Sequence, residues 1–133
     1  MRDAVRLVIA GRLRAQGTRP APADQGPVRT AQRSARLLFE EPVASRLALD
    51  AEVESGGRGP TLTRGTMEEL ARQLAAATPA RPVAEVRLRV WALVAAVHQL
   101  FLRAEGCQEW LGVDPADPGA RDALVEQLAG LLH

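Results

Sequence analysis

Residues 90–102 of this chain, VWALVAAVHQLFL, form an apolar block that is bounded by Arg87, Arg89 and Arg103. The block is too short to cross a bilayer, which requires about 20 residues. It is apolar on nearly every side of a helix, and such a helix must be covered by protein on most of its circumference. We therefore expect it to lie in the central helix of an all-α domain, or at the shared interface of a dimer.

The length and charge of the chain are those of one globular domain. It has 133 residues and a formal net charge of +1, from 17 basic and 16 acidic side chains. This balance lacks the clustered basic excess of a chain that binds nucleic acid by electrostatics. Cys107 is the single cysteine, so no disulfide forms within the chain, which fits a reducing cytoplasm. The apolar run near Met1 is too short for a signal peptide. We expect a cytoplasmic protein that makes no membrane contact.

The rest of the sequence predicts an antiparallel bundle of about five to six helices. Residues 1–16 have helical apolar spacing, and residues 17–27 read as a linker rich in proline and glycine. Residues 28–133 then form the bundle, with Pro27 suited to the first turn of its first helix. No segment alternates between apolar and polar residues as a strand does, so we expect no sheet.

Several helix ends carry recognisable signals. Thr66 and Glu69 have the spacing of a capping box, which predicts a helix start at Thr66. The central helix is expected over residues 83–105, and Gly106 is expected to end it. Asp117 precedes a proline and is expected to cap the last helix.

The central helix has two apolar faces. The first face follows alternating steps of four and three residues and consists of Val86, Val90, Leu93, Val97 and Leu100. The second face lies beside it and consists of Trp91, Ala95, His98 and Leu102. One face can pack on the chain's own bundle while the other packs on a partner, so we expect a homodimer that also uses the last helix. A monomeric bundle, with both faces in the core, is the alternative.

The residues needed for catalysis or metal binding are scarce. The sequence has no zinc-type spacing, no Walker loop, no dinucleotide-binding glycine motif and no nucleophile elbow. We therefore predict no catalytic residue, no metal site, no cofactor and no enzymatic activity. A small helical enzyme remains an alternative, with His98, Glu105 and Cys107 as its only candidates. His98 is either a ligand-contacting group in a pocket or a core histidine with a satisfied hydrogen bond.

Two stretches resemble the C-terminal regulatory half of TetR-family bacterial repressors. They are residues 84–132, AEVRLRVWALVAAVHQLFLRAEGCQEWLGVDPADPGARDALVEQLAGLL, and residues 31–48, AQRSARLLFEEPVASRLA. The first has a long apolar helix with a tryptophan, a short loop, and a last helix with a capping D-P-x-x-P-like start. The likeness covers residues 27–132 and consists of composition and helix order.

The resemblance implies an effector-binding and dimerisation domain that acts in transcriptional regulation. The last two helices would form the dimer interface, and a pocket for a small apolar effector would lie among the earlier helices. The implied interface residues are Leu93, Val97, Leu100, Leu124, Leu128 and Leu131. The implied ligand-binding residues are Phe39, Met67, Leu70, Leu74, Trp91 and His98.

The chain departs from the family in its N-terminal part. A helix-turn-helix needs two helices joined by a tight turn, but residues 1–26 hold one predicted helix and a proline-rich loop. We therefore expect DNA binding only if a missing N-terminal region or a partner supplies a helix-turn-helix. The alternative function is a ligand-free helical module for protein–protein interaction.

Overall fold

The structure is a computed structural model, and it describes residues 26–59, 61 and 63–132. These residues form helices and no strand, which confirms the expected all-α bundle. The predicted helix over residues 1–16 and nearly all of the predicted linker over residues 17–27 lie outside the described residues. The helices are α1 (Pro27–Glu40), α2 (Pro42–Glu54), α3 (Arg64–Ala77), α4 (Val83–Leu102), α5 (Ala104–Leu111) and α6 (Pro118–Leu131).

Prolines lie at the starts of two helices and an aspartate caps a third, and the roles of Pro27 and Asp117 are as expected. Pro27 and Pro42 lie in the first turns of α1 and α2, where a missing N–H removes no helical hydrogen bond. Glu41 between them has φ −127° and ψ 64°, outside the helical region, which the residue before a proline tends to avoid. Asp117 caps α6, because its Oδ2 accepts a hydrogen bond from the Ala120 N–H at 2.9 Å.

The predicted start of α3 at Thr66 is wrong. The helix begins at Arg64, so Thr66 lies inside its first turns and is buried. The Thr63 N–H donates to Oε1 of Glu52 at 3.1 Å, so a carboxylate of α2 satisfies the start of α3. Glu69 does not reach back to Thr66; it accepts from Nε2 of Gln73 at 3.0 Å.

The predicted end of the central helix at Gly106 is also wrong. The helical path bends at Arg103, which has φ −123° and ψ 43°, and α5 continues from there with Gly106 in its interior. The bend turns the chain so that Cys107 packs against the edge of the core. The end comes at Gly112, whose φ of 72° is the left-handed conformation that favours glycine.

The core consists of two clusters that α4 connects. Helix α1 packs against α2, α3, α4 and α6, while α4 packs against α1, α3, α5 and α6. The first face of α4 is buried throughout, as expected. The large cluster contains Ala31, Ala35, Leu38, Leu49, Leu93, Val97, Leu100, Phe101 and Val125. The small cluster contains Leu70, Leu74, Val86, Val90 and Val94.

The opposite side of α4 is not covered within the described chain. Leu88 and Trp91 are 67% and 64% exposed, and Ala95 is exposed beside them. On this side, the described residues do not supply the protein cover that is expected around most of the helix. None of the described helices has the length and apolar character needed to span a membrane.

The buried face of α6 is rotated from the predicted one. Val125 is fully buried and Arg121 is 4% exposed, while Leu124 and Leu128 are only partly buried. Leu131, predicted to be buried, is 82% exposed. The reason is that α6 meets α1 through the line that carries Arg121 and Val125, which places Leu131 on the outer side.

Candidate ligand-binding site

A cavity of about 400 Å³ lies at the junction of the two core clusters. It opens between the start of α1, the second half of α3, the middle of α4 and the end of α6. Its volume is in the range of small-molecule sites, which is roughly 300–1,000 Å³. Its apolar walls include Leu70, Leu74, Val90, Leu93, Ala129 and Leu132.

Small residues on α3 and α6 leave this space open. Ala77, Ala129 and Gly130 all border the cavity. A Cβ atom built on Gly130 has no other atom within 4 Å, apart from its own helix backbone and chain neighbours. Larger side chains at these positions would occupy part of the gap between the clusters.

Two charged side chains border the cavity, and they differ in their partners. Nη2 of Arg89 donates to Oε1 of Glu85 at 2.9 Å, and Nη1 donates to the carbonyl of Leu132 near the end of the chain. Glu126, on the exposed side of α6, makes no hydrogen bond or ion pair with any residue that the structure describes.

The predicted ligand-binding residues do not form one site. Leu70 and Leu74 line the cavity. Met67 and Trp91 instead line a separate hollow of about 170 Å³ on the other side of α3, beside Arg64. Phe39 is not among the residues that line the cavity.

Phe39 belongs to a stack of alternating rings and guanidinium groups. Its ring meets the ring of Phe101 edge-on, with the centroids 5.4 Å apart and the planes at 86°. The guanidinium of Arg121 lies 4.7 Å from the Phe39 centroid, and that of Arg46 lies 6.0 Å from the Phe101 centroid. Phe39 therefore lies outside the lining of the cavity, and the arginine of α6 holds its ring against the core.

His98 is half-buried on α4 and does not line the cavity. It forms no hydrogen bond with another described residue. Burial lowers its pKa to about 4, because the charged form loses hydration and no carboxylate compensates. His98 is thus neutral near pH 7.

Three of the predicted interface residues are enclosed by the chain's own bundle. Leu93, Val97 and Leu100 are all buried in the large cluster, so almost none of their surface is left for a partner to contact. Of the other three, Leu124 and Leu128 pack at the edge of that cluster, and Leu131 is exposed. The dimer itself stays a prediction.

The residues of the enzyme alternative do not share one environment in the structure. Burial, followed by the nearby Asp114, raises the pKa of the Cys107 thiol, which disfavours the reactive thiolate. Glu105 is exposed on α5. Among the described residues, no three histidine, cysteine or acidic side chains lie together as metal ligands would.

Sequence reasoning missed Arg89, Glu126 and Gly130 as cavity residues. The i,i+4 spacing of Glu85 and Arg89 does indicate an ion pair on one helix face. Nothing in the sequence, however, indicates that the end of α6 and the second half of α3 border one cavity. Comparison of the chain with known protein families, curated proteins and solved structures found no match.

Proposed function

We propose that this chain is an effector-binding and dimerisation domain that acts in transcriptional regulation, as the C-terminal half of a TetR-family repressor does. The observation that carries the proposal is the 400 Å³ apolar cavity between α1, α3, α4 and α6. A small apolar effector would fill it. DNA would be contacted only through a helix-turn-helix supplied by another region or by a partner.

The position of the cavity suits a regulatory role. It borders both core clusters, and α4 contributes Val90 from the small cluster and Leu93 from the large one. A ligand in this place would change how α6 and α3 pack against α4. If a dimer partner or DNA-reading region responds to that packing, ligand affinity and partner affinity are linked reciprocally.

The test is a titration with 2-naphthalenemethanol, a neutral apolar probe, followed by isothermal calorimetry. The wild-type chain is expected to bind it, and Gly130→Phe is expected to weaken binding at least tenfold by placing a ring in the open space. Gly106→Phe is the matched control, because Gly106 is also helical and open but does not border the cavity. Absence of binding to the wild type, or equal affinity of both variants, contradicts the proposal.

One observation favours the second candidate, a ligand-free interaction module. Trp110 is 88% exposed on α5, and the exposed Leu88 and Trp91 lie on α4. Large exposed apolar side chains are typical of surfaces that bind another protein. This function predicts no binding of the naphthalene probe and capture of a protein partner that Trp110→Glu abolishes.

A further inference from the structure

The two charged side chains that border the cavity differ in how free they are to bind a ligand. Arg89 is engaged by the carboxylate of Glu85, with Nη2 at 2.9 Å and Nε at 3.3 Å from Oε1, and by the carbonyl of Leu132. An anionic ligand would have to compete with Glu85 for this guanidinium. Glu126 has no such competitor among the described residues, so its carboxylate is free to receive a cation.

Two helix ends add to the negative character of the site. The C-terminal turns of α3 and α6 border the cavity through Ala77 and Gly130. The end of a helix carries partial negative charge on its last carbonyl groups, which favours cations nearby. Neither turn contains a basic residue of its own, but Arg89 of α4 offsets part of the charge at the end of α6 through its contact with the Leu132 carbonyl.

The start of α1 favours an anion instead of a cation, but a proline weakens this effect. The start of α1 also borders the cavity, through Pro27 and Val28, and a helix start favours anions. Pro27, however, has no N–H group to donate, so the start of α1 offers one N–H fewer than an ordinary helix start. Two negative helix ends, one of them partly offset by Arg89, and an unpaired carboxylate thus outweigh one incomplete positive end.

We infer that the cavity binds an organic monocation with an apolar body, whose ammonium group lies near Glu126 and the C-terminal turns of α3 and α6. The inference rests on the proposed function, because it names the ligand class of the same cavity. The apolar walls would hold the body of the ligand. The carboxylate and the helix carbonyls would select the sign of its charge.

The experiment compares three ligands that share one ring system. They are 2-(aminomethyl)naphthalene, which is cationic at pH 7, neutral 2-naphthalenemethanol, and anionic 2-naphthoate. We expect the amine to bind about five- to tenfold more tightly than the alcohol, and the naphthoate to bind most weakly. The preference for the amine should fall as salt is added, because the groups are partly exposed.

Two matched variants test whether Glu126 causes the preference for the amine over the alcohol. Glu126→Gln keeps the shape of the side chain and should reduce the amine-to-alcohol ratio to about twofold, with the helix ends supplying the remainder. Glu109→Gln removes another exposed carboxylate, which lies on α5 away from the cavity, and should leave the ratio unchanged.

The outcomes separate the inference from the function on which it rests. If none of the three ligands binds, the effector-binding function fails, and the inference fails with it. If the alcohol binds but the amine binds no more tightly, or if Glu126→Gln leaves the ratio unchanged, the function stands and the cation preference is overturned.

Discussion

Glycine has opposite effects on stability at two positions of α5, inside the helix at Gly106 and at its end at Gly112. Gly106 lies inside α5 with ordinary helical geometry, and a Cβ there has no atom within 4 Å beyond its own helix and neighbours. Gly112 ends the same helix with φ 72°. Glycine is therefore needed at Gly112 and is unfavourable at Gly106.

We expect Gly106→Ala to raise the free energy of unfolding by about 0.5–1 kcal/mol, because alanine is the better helix former. Gly112→Ala should lower it by about 1 kcal/mol, because an alanine is strained in the left-handed conformation. Urea denaturation of both variants measures the two changes. A loss of stability in Gly106→Ala would contradict the assignment of Gly106 to the interior of α5.

The pKa of His98 predicts a dependence of stability on pH. Its folded pKa of about 4 lies below the ordinary value of 6.5, so protonation favours the unfolded chain. His98 does not reduce the free energy of unfolding above pH 6.5. As the pH falls from 6.5 toward 4, the free energy of unfolding decreases by up to about 3 kcal/mol.

The measurement is the free energy of unfolding of the wild type and of His98→Gln between pH 7 and pH 4. Other groups titrate in both proteins, so the difference between the two curves isolates the histidine. The wild type should lose more stability than the variant as the pH falls. Parallel curves would show that His98 is hydrated in the folded state.

Among the elements, α1 and α6 are held together by the contact between Phe39 and Arg121. The guanidinium is buried without an ion pair to any carboxylate of the described residues, and its Nη1 donates to the carbonyl of Pro115 at 3.4 Å. Burial lowers the pKa of Arg121, although arginine remains charged. The face of the aromatic ring therefore supplies much of its electrostatic compensation.

A double-mutant cycle between Phe39→Leu and Arg121→Met should give a coupling energy of about 1 kcal/mol in urea denaturation. The matched cycle between Phe101→Leu and Arg46→Met should give a coupling near zero, because Arg46 is exposed and lies 6.0 Å from the ring centroid. Equal couplings in the two cycles would contradict a special role for the buried arginine.

The order of the helices could be predicted from the sequence wherever it depends on local chemistry. Pro27 and Asp117 act within one turn of their own position, so the helix starts at these residues could be predicted. The first face of α4 was predicted because the spacing of its residues is a property of a single helix. The all-α class follows from the same local signals.

Features that depend on contacts between distant helices were not readable. Glu52 of α2 satisfies the start of α3 in place of the predicted capping box. The leucines of α6 suggested the wrong buried face, because Arg121 occupies the side of α6 that faces the core and packs its guanidinium on the ring of Phe39. Of the predicted pocket, only Leu70 and Leu74 line the cavity, because its remaining walls come from helices whose mutual packing no local pattern encodes.

At the scale of the whole molecule, the apolar surface left exposed decides how the chain would dimerise. Leu93 lies in the core, so Leu93→Glu would bury a charge and unfold the chain rather than separate a dimer. Trp91 and Leu131 are exposed and can be replaced without disturbing the core. They lie on α4 and α6 respectively, the two elements that the predicted interface combines.

We expect sedimentation equilibrium to give a dimer at micromolar concentration for the wild type. Trp91→Glu should give a folded monomer, because it places a charge on an apolar side of α4 that the described helices leave uncovered. Leu131→Glu tests the end of α6 in the same way. A wild-type chain that remains monomeric, or a dimer that survives both changes, contradicts dimerisation through these helices.

The cavity between the two core clusters is the centre of the proposed function, which requires that a ligand fill it. The most direct test is an NMR titration of the labelled chain with 2-(aminomethyl)naphthalene. We expect intermolecular contacts from the probe to the methyl groups of Leu70 and Leu74 and a shift of the Gly130 amide, with the Trp110 indole unchanged. Contacts confined to Trp91 and Trp110, or no contacts at all, would contradict ligand binding in the cavity.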